Sequence, residues 1–194
     1  MRRELLATAV LVFLAAFPAV AGEKPHYGQG KAWFGQEKSL QPGKKAVARM
    51  VGQDGKDVGS ATLTETAEGL VVKLDLKNVP PGVHGLHIHE MGECTPPDFR
   101  SAGEHLSLSG QKHGFPGVDN SHIGDLPSVT ADRKGRVKQE IKASHVKFTN
   151  GPVDFLSDTG TALILHEKED DYQKQPAGGT GSRIACGVIS RDVR

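Results

Sequence analysis

From residue 46 onward the chain alternates. Leu70, Val72, Leu74 and Leu76 are separated by Val71, Lys73 and Asp75. Successive side chains of a strand point to opposite faces, so this stretch reads as a strand with one buried face. Ala46–Val51 and Val58–Thr66 flank Gly52-Gln53-Asp54-Gly55-Lys56-Asp57, which reads as a hairpin turn. Val83–Glu90, Pro127–Asp132, Arg136–Lys142, Thr161–His166 and Ile184–Ser190 are further strand candidates, and Asp132-Arg133-Lys134-Gly135 turns between two of them. Eight short strands without an amphipathic helix predict an all-β fold, an antiparallel sandwich or barrel. The 24 Gly and 11 Pro suit so many turns.

Two stretches do not fit strands. Gly92 to Asp125 is rich in Gly, Pro, Ser and His, and Glu167 to Arg183 begins charged and ends Gly-rich. Loops of this length in a compact domain usually carry function.

The N-terminus reads as an address. Met1-Arg2-Arg3 is positive, Leu5 to Val20 is nearly all apolar, and Ala19-Val20-Ala21 is a small-x-small cleavage site. Residues 1–21 are therefore expected to be a secretory signal peptide. A membrane anchor would need ~20 apolar residues, and no Cys near the cleavage site offers a lipid attachment point. Residues 22–45 are expected to form an N-terminal extension, partly disordered, and His26 within it to be a surface histidine. The domain proper is expected to span 46–194. Without residues 1–21 the chain carries 22 basic and 22 acidic side chains. Such a balance argues against a nucleic-acid partner, and any steering of charge must be local. Export implies an oxidising compartment, the periplasm first and the extracellular space second. There Cys94 and Cys186 are expected to pair. Closing so long a loop contributes at most about 4.6 kcal/mol in the chain-entropy picture.

The nine histidines point to the chemistry. His87 and His89 lie two apart on one strand, so they share a face, while Leu86 and Ile88 share the other. The Gly-rich loop adds His105, His113, His122 and Asp125. Three imidazoles and one carboxylate make a tetrahedral zinc set, whereas several imidazoles in a flattened array suit copper. A bound metal would also order a loop with little apolar content. His166 ends a strand and precedes Glu167-Lys168-Glu169-Asp170-Asp171, whose carboxylates could orient a ligand ring.

Gly85-Leu86-His87-Ile88-His89-Glu90, Ser101-Ala102-Gly103-Glu104-His105, Lys112-His113-Gly114, His122-Ile123-Gly124-Asp125-Leu126, Leu165-His166-Glu167 and Gly181-Ser182-Arg183-Ile184-Ala185-Cys186-Gly187-Val188-Ile189 resemble the copper–zinc superoxide dismutase family, in its order and over about residues 46–191. The resemblance implies an eight-stranded Greek-key β-barrel, or flattened sandwich, with two long functional loops. It implies one copper ion held by His87, His89, His105 and His166, and one zinc ion held by His105, His113, His122 and Asp125, with His105 bridging. It implies that Asp170 links His87 to His113, that the Cys94–Cys186 disulfide pins the loop, and that Arg183 receives the anion. The implied activity is disproportionation of superoxide, with His105 and Arg183 as catalytic residues and Lys168 and Lys174 as candidate steering charges. A homodimer is compatible with the resemblance, although the loop between Cys94 and Ser101 is shorter than in many bacterial members and leaves the assembly open.

Three other readings compete. A non-catalytic copper- or zinc-binding protein on the same barrel would predict metal binding without turnover. A cupin-type centre would recruit Glu93 and leave the loop histidines unused. A purely structural sandwich would leave the histidine spacing unexplained.

Overall fold

The computed structural model describes residues 45–148, 155–157 and 159–191. The signal peptide, the extension with His26, and the cleavage site lie outside the described residues, apart from Lys45.

Eight strands run in the order β1 (Lys45–Gly52), β2 (Asp57–Thr66), β3 (Gly69–Leu76), β4 (Gly82–His89), β5 (Asp125–Ala131), β6 (Val137–Ala143), β7 (Thr161–His166) and β8 (Arg183–Arg191). All eight segments read from the alternation are strands: Thr161–His166 keeps both ends, and the ends of the others shift by at most two residues. The only helix among the described residues is a 3-10 turn at Arg100–Ala102. The strands form one antiparallel sheet in the order β5-β4-β7-β8-β1-β2-β3-β6. Its two end strands, β5 and β6, also approach each other, so the sheet curls into a nearly closed barrel. The jumps from β3 to β4 and from β6 to β7 cross the barrel, as in a Greek key.

Leu63, Val72, Leu86, Ile88, Leu126, Leu163 and Leu165 fill the interior and are inaccessible to solvent. Burying each such side chain contributes about 2 kcal/mol. On β3 and β6 exposed residues alternate with buried ones, as one face in water requires. β7 departs from this: all six of its residues are buried. The last six residues of β4 are buried too. Their outer faces are covered by the two long loops, and that cover creates the site.

Across β4, β7 and β8 the register sets His87 beside Ile164, and Ile164 beside Cys186. Ala162, Ile164, Cys186, Phe99 and Ala102 form a second, smaller apolar cluster outside the barrel. Cys186 is bonded to Cys94, so the loop carrying Phe99 is tied over this row.

Candidate metal centre

β4 presents His87 and His89 outward, fully buried beneath the loops, while Leu86 and Ile88 point into the barrel. His105 reaches the same place because residues 105–106 add to the edge of β4. His89 and His105 form an isolated bridge, and Leu106 N–H donates to the Ile88 carbonyl at 2.8 Å. Gly124 completes this edge. Its N–H donates to Leu106 and its carbonyl accepts from Ile88, and a side chain there would collide with the Ile88 carbonyl.

His166 arrives at the end of β7, opposite Arg183 of β8. The register slips there: Leu165 pairs with Ala185, but His166 pairs with Arg183 rather than Ile184. Ile184 consequently packs against the barrel core. The irregularity turns the Arg183 side chain to the outer face, where a bulge re-aims what alternation would have hidden.

Candidate ligand atoms of His87, His89, His105 and His166 lie within 4.8 Å of one another. Each ring uses one nitrogen elsewhere. His87 Nε2 is 2.7 Å from Asp170 Oδ2, and His89 Nδ1 donates to the Gly103 carbonyl at 2.9 Å. His105 Nδ1 is 3.0 Å from Asp125 Oδ1, and His166 Nδ1 is 3.0 Å from Thr180 Oγ1. The four remaining nitrogens, His87 Nδ1 and Nε2 of His89, His105 and His166, are buried without a partner. Burying a polar atom unpaired costs about 1–3 kcal/mol, and four at one point call for a common partner. Nitrogen donors alone fit copper.

The second set centres on Asp125. Its Oδ1 is 3.0 Å from His105 Nδ1, 3.0 Å from His113 Nδ1 and 3.5 Å from His122 Nδ1. Around a tetrahedral zinc with ~2.05 Å bonds, ligand atoms stand about 3.3 Å apart, so the spacing fits zinc. The ligand atoms within 4.8 Å of one another here are those of His87, His105, His113 and Asp125, a group that leaves out His122. Orientation decides between them. His87 Nε2 is taken by Asp170, whereas His122 Nδ1 is buried, unpartnered and directed at Asp125. Asp170, 2% exposed, joins the two sets: Oδ2 meets His87 Nε2, and Oδ1 accepts from His113 Nε2 at 2.8 Å.

Burial, then repulsion from His105, holds His87 and His89 well below the usual imidazole range, and the same causes bring His166 down to about 3. These three rings are neutral, as ligands must be. Burial pulls His113 down, but hydrogen bonds to Asp125 and Asp170 outweigh it and raise the ring to about 9 in the metal-free protein. Burial pushes the Asp125 carboxyl up, and hydrogen bonds from His105, His113 and Gly114 N–H overcome it, leaving the group below its ordinary range.

Arg183 stands at the mouth of a cavity of about 310 Å³ that reaches His89, His105 and His166. Its Nη1 donates to the Phe99 carbonyl at 2.8 Å, Gln53 holds its main-chain carbonyl at 3.0 Å, and Glu104 lies 3.9 Å away. Lys174 lines the cavity, whereas Lys168 does not. Glu93 is exposed and bonded to Thr95, outside both His clusters, so the cupin-type centre is not formed.

Sequence reading did not find four contributors. Thr180 and Gln175 hold His166 and His113 from the 167–182 loop. His84 places its two ring nitrogens 2.8 and 2.7 Å from the carbonyls of His166 and Pro80. His145 Nε2 donates to the Asp125 carbonyl at 3.0 Å. Thr180 and Gln175 are not the usual ligand types, and His84 and His145 lie outside the motifs quoted for the ligands, so no local pattern marks them.

The family model described as Copper/zinc superoxide dismutase (SODC) matches residues 58–189. Superoxide dismutase [Cu-Zn] 2 of Aquifex aeolicus is 42% identical over 147 residues, covering 75% of this chain and 86% of that protein. The Caulobacter vibrioides superoxide dismutase [Cu-Zn] is 41% identical over 147 residues, covering 74% and 84%. Among solved structures, a SOD-like protein from Bacillus subtilis matches with TM-score 0.68 and 32% identity, over 76% of this chain and 99% of that one. The Cu/Zn superoxide dismutase of Brucella abortus matches with TM-score 0.66 and 30% identity, over 76% and 100%.

Proposed function

The chain belongs to the copper/zinc superoxide dismutase family, and from that premise we propose how its residues divide the work of the reaction. The protein is an oxidoreductase that uses copper and zinc to convert two superoxide anions and two protons to dioxygen and hydrogen peroxide. The non-catalytic alternative is not favoured, because the relatives at 41–42% identity are named dismutases.

His87, His89, His105 and His166 would hold copper, and His105, His113, His122 and Asp125 would hold zinc, so that His105 serves both. The observation carrying this is the set of five buried ring nitrogens without partners: one each on His87, His89, His105, His122 and His166. When bound, copper supplies reversible one-electron chemistry and zinc a fixed positive charge.

The chain's own residues do the rest. Arg183 receives superoxide, since a guanidinium is always charged and its fork orients a small anion. The Phe99 carbonyl holds that fork at the cavity mouth. Lys174 lines the approach, its charge partly offset by Asp171 at 3.0 Å, and Glu104 opposes the positive field. His105 Nε2 would hold a proton between the two half-reactions, while Nδ1, 3.0 Å from Asp125 Oδ1, would keep the ring in place as a zinc ligand beside Asp125. Asp170 orients His87 and His113 together. Little bond-making is required, so encounter limits the rate, with a ceiling of about 10⁹ M⁻¹s⁻¹.

The disulfide and the bacterial relatives are consistent with an exported protein. Removal of residues 1–21 and a periplasmic address belong to this proposal, as does a homodimer, which sedimentation would reveal by its mass.

The test is metal content together with superoxide decay by pulse radiolysis on the disulfide-oxidised protein. One copper and one zinc per chain with near-diffusional decay is expected. Full metal loading without decay would overturn the assigned roles of Arg183 and His105.

A further inference from the structure

Thr180 lies in the loop between β7 and β8 and is 2% exposed. A buried hydroxyl needs partners, and the two it has are of different kinds. Oγ1 donates to the Ala177 carbonyl at 2.9 Å, which commits its only proton. Toward His166 Nδ1, 3.0 Å away, the same oxygen can only accept. The His166 proton must then sit on Nδ1, which leaves the lone pair on Nε2. That is the nitrogen buried without a partner, on a ring clustered with His87, His89 and His105.

The threonine itself has little freedom. Its main-chain carbonyl accepts from Lys168 N–H at 2.8 Å. Its methyl is pressed against β4, where a Cβ on Gly85 would come within 2.7 Å of Thr180 Cγ2. A glycine at 85 thus makes room for the residue that sets the ring at 166. The main chain of Gly181 also acts on this ring, favouring a proton on it.

We propose that Thr180 is a positioning residue of the copper site: its hydroxyl selects the Nδ1–H form of His166 and fixes the ring plane so that Nε2 is offered to the metal. This rests on His166 being a copper ligand. The partner of a ligand's distal nitrogen commonly matters 10–100-fold to metal affinity, and since Gly181 remains, the lower end of that range applies here, about tenfold.

The experiment compares zinc-loaded wild type, Thr180→Val, Thr180→Ser and His166→Ala, titrated with copper(II) against a competing chelator. Copper(II) electron paramagnetic resonance and zinc content are read on the same samples. Valine keeps the shape and removes the hydroxyl; serine keeps the hydroxyl. The expected result is an approximately tenfold loss of copper affinity and an altered copper(II) spectrum in Thr180→Val, restored in Thr180→Ser, with zinc unchanged. Wild-type affinity and spectrum in Thr180→Val, or failure of Thr180→Ser to restore them, would overturn the proposal. Undiminished copper affinity in His166→Ala would instead overturn the ligand role on which it rests. Should Thr180→Val not fold, Thr180→Ala takes its place, and nitrogen-15 resonances of His166 are read in the unmodified zinc-loaded, copper-free protein: wild-type copper affinity in Thr180→Ala, or a proton on Nε2, refutes the proposal, and an approximately tenfold loss with the proton on Nδ1 supports it.

Discussion

Gln175 grips the main chain of His113 at both ends. Its Oε1 accepts the His113 N–H at 3.0 Å, and its Nε2 donates to the His113 carbonyl at 2.8 Å. One side-chain amide thus does what a neighbouring strand would do, across two separate loops. It ties the loop that carries Lys174 and Thr180 to the loop that carries the proposed zinc ligands.

Gln175→Ala should release zinc faster, by up to about thirtyfold, because two hydrogen bonds of about 1 kcal/mol each are lost. Gln175→Glu should be worse, since it sets a carboxylate oxygen against the His113 carbonyl. Zinc release to a chromogenic chelator measures both. Equal rates for glutamate and wild type would show that the grip does not matter.

Gly178 has φ +62°, and a Cβ there would collide with Asp170 Oδ1 and crowd His113 Nε2. Gly178→Ala should therefore destabilise by more than the ~1–3 kcal/mol of left-handed strain alone, and should lower metal content. Gly110→Ala is the control: φ is +86° with nothing within 4 Å, so only strain is incurred. Thermal unfolding of the two metal-loaded variants separates strain from collision.

Arg183→Ala should cut the rate by about tenfold to a hundredfold at low ionic strength and flatten its salt dependence, with copper and zinc contents intact. Reducing the Cys94–Cys186 disulfide should produce part of the same loss, because the loop it pins supplies the Phe99 carbonyl that holds Arg183. Pulse radiolysis across a salt series reads both effects.

The metal-free protein should be most stable near pH 6.5. His87, His89 and His166 have folded values below the unfolded one, so their contribution is complete above about pH 6.5 and is lost as pH falls. For His166 the loss runs down to about pH 3. His113 is raised to about 9, so its contribution is complete below about pH 6.5 and is lost as pH rises toward 9. Zinc would take the place of that proton. Melting temperature against pH should therefore show a fall between 6.5 and 9 only in the metal-free protein. A fall of equal size with zinc bound would contradict His113 as a ligand.

The strands were legible because alternation is a local signal. Leu70 to Leu76 shows its buried face without reference to any other segment, and so do the parities of Leu86 and His87. The candidate ligands were legible because metal chemistry restricts both residue type and spacing. Thr180, Gln175, His84 and His145 were not legible, since a threonine or glutamine earns its role only from what lies opposite it. Arg183 falls between these cases. The family resemblance named it, yet alternation from Ala185 would have turned it into the barrel, and only the slip between Leu165 and His166 turns it out.

The amino-acid sequence by itself determined the eight strands, the pairing partner for each cysteine and the set of imidazoles from which a metal site could be built, because each depends on residue type and short-range period. Tertiary structure alone decided which nitrogen of each ring is free. That choice is made by Asp170, Gly103, Asp125 and Thr180, which lie 14 to 83 positions away in the chain and meet the rings only when the loops close over β4 and β7.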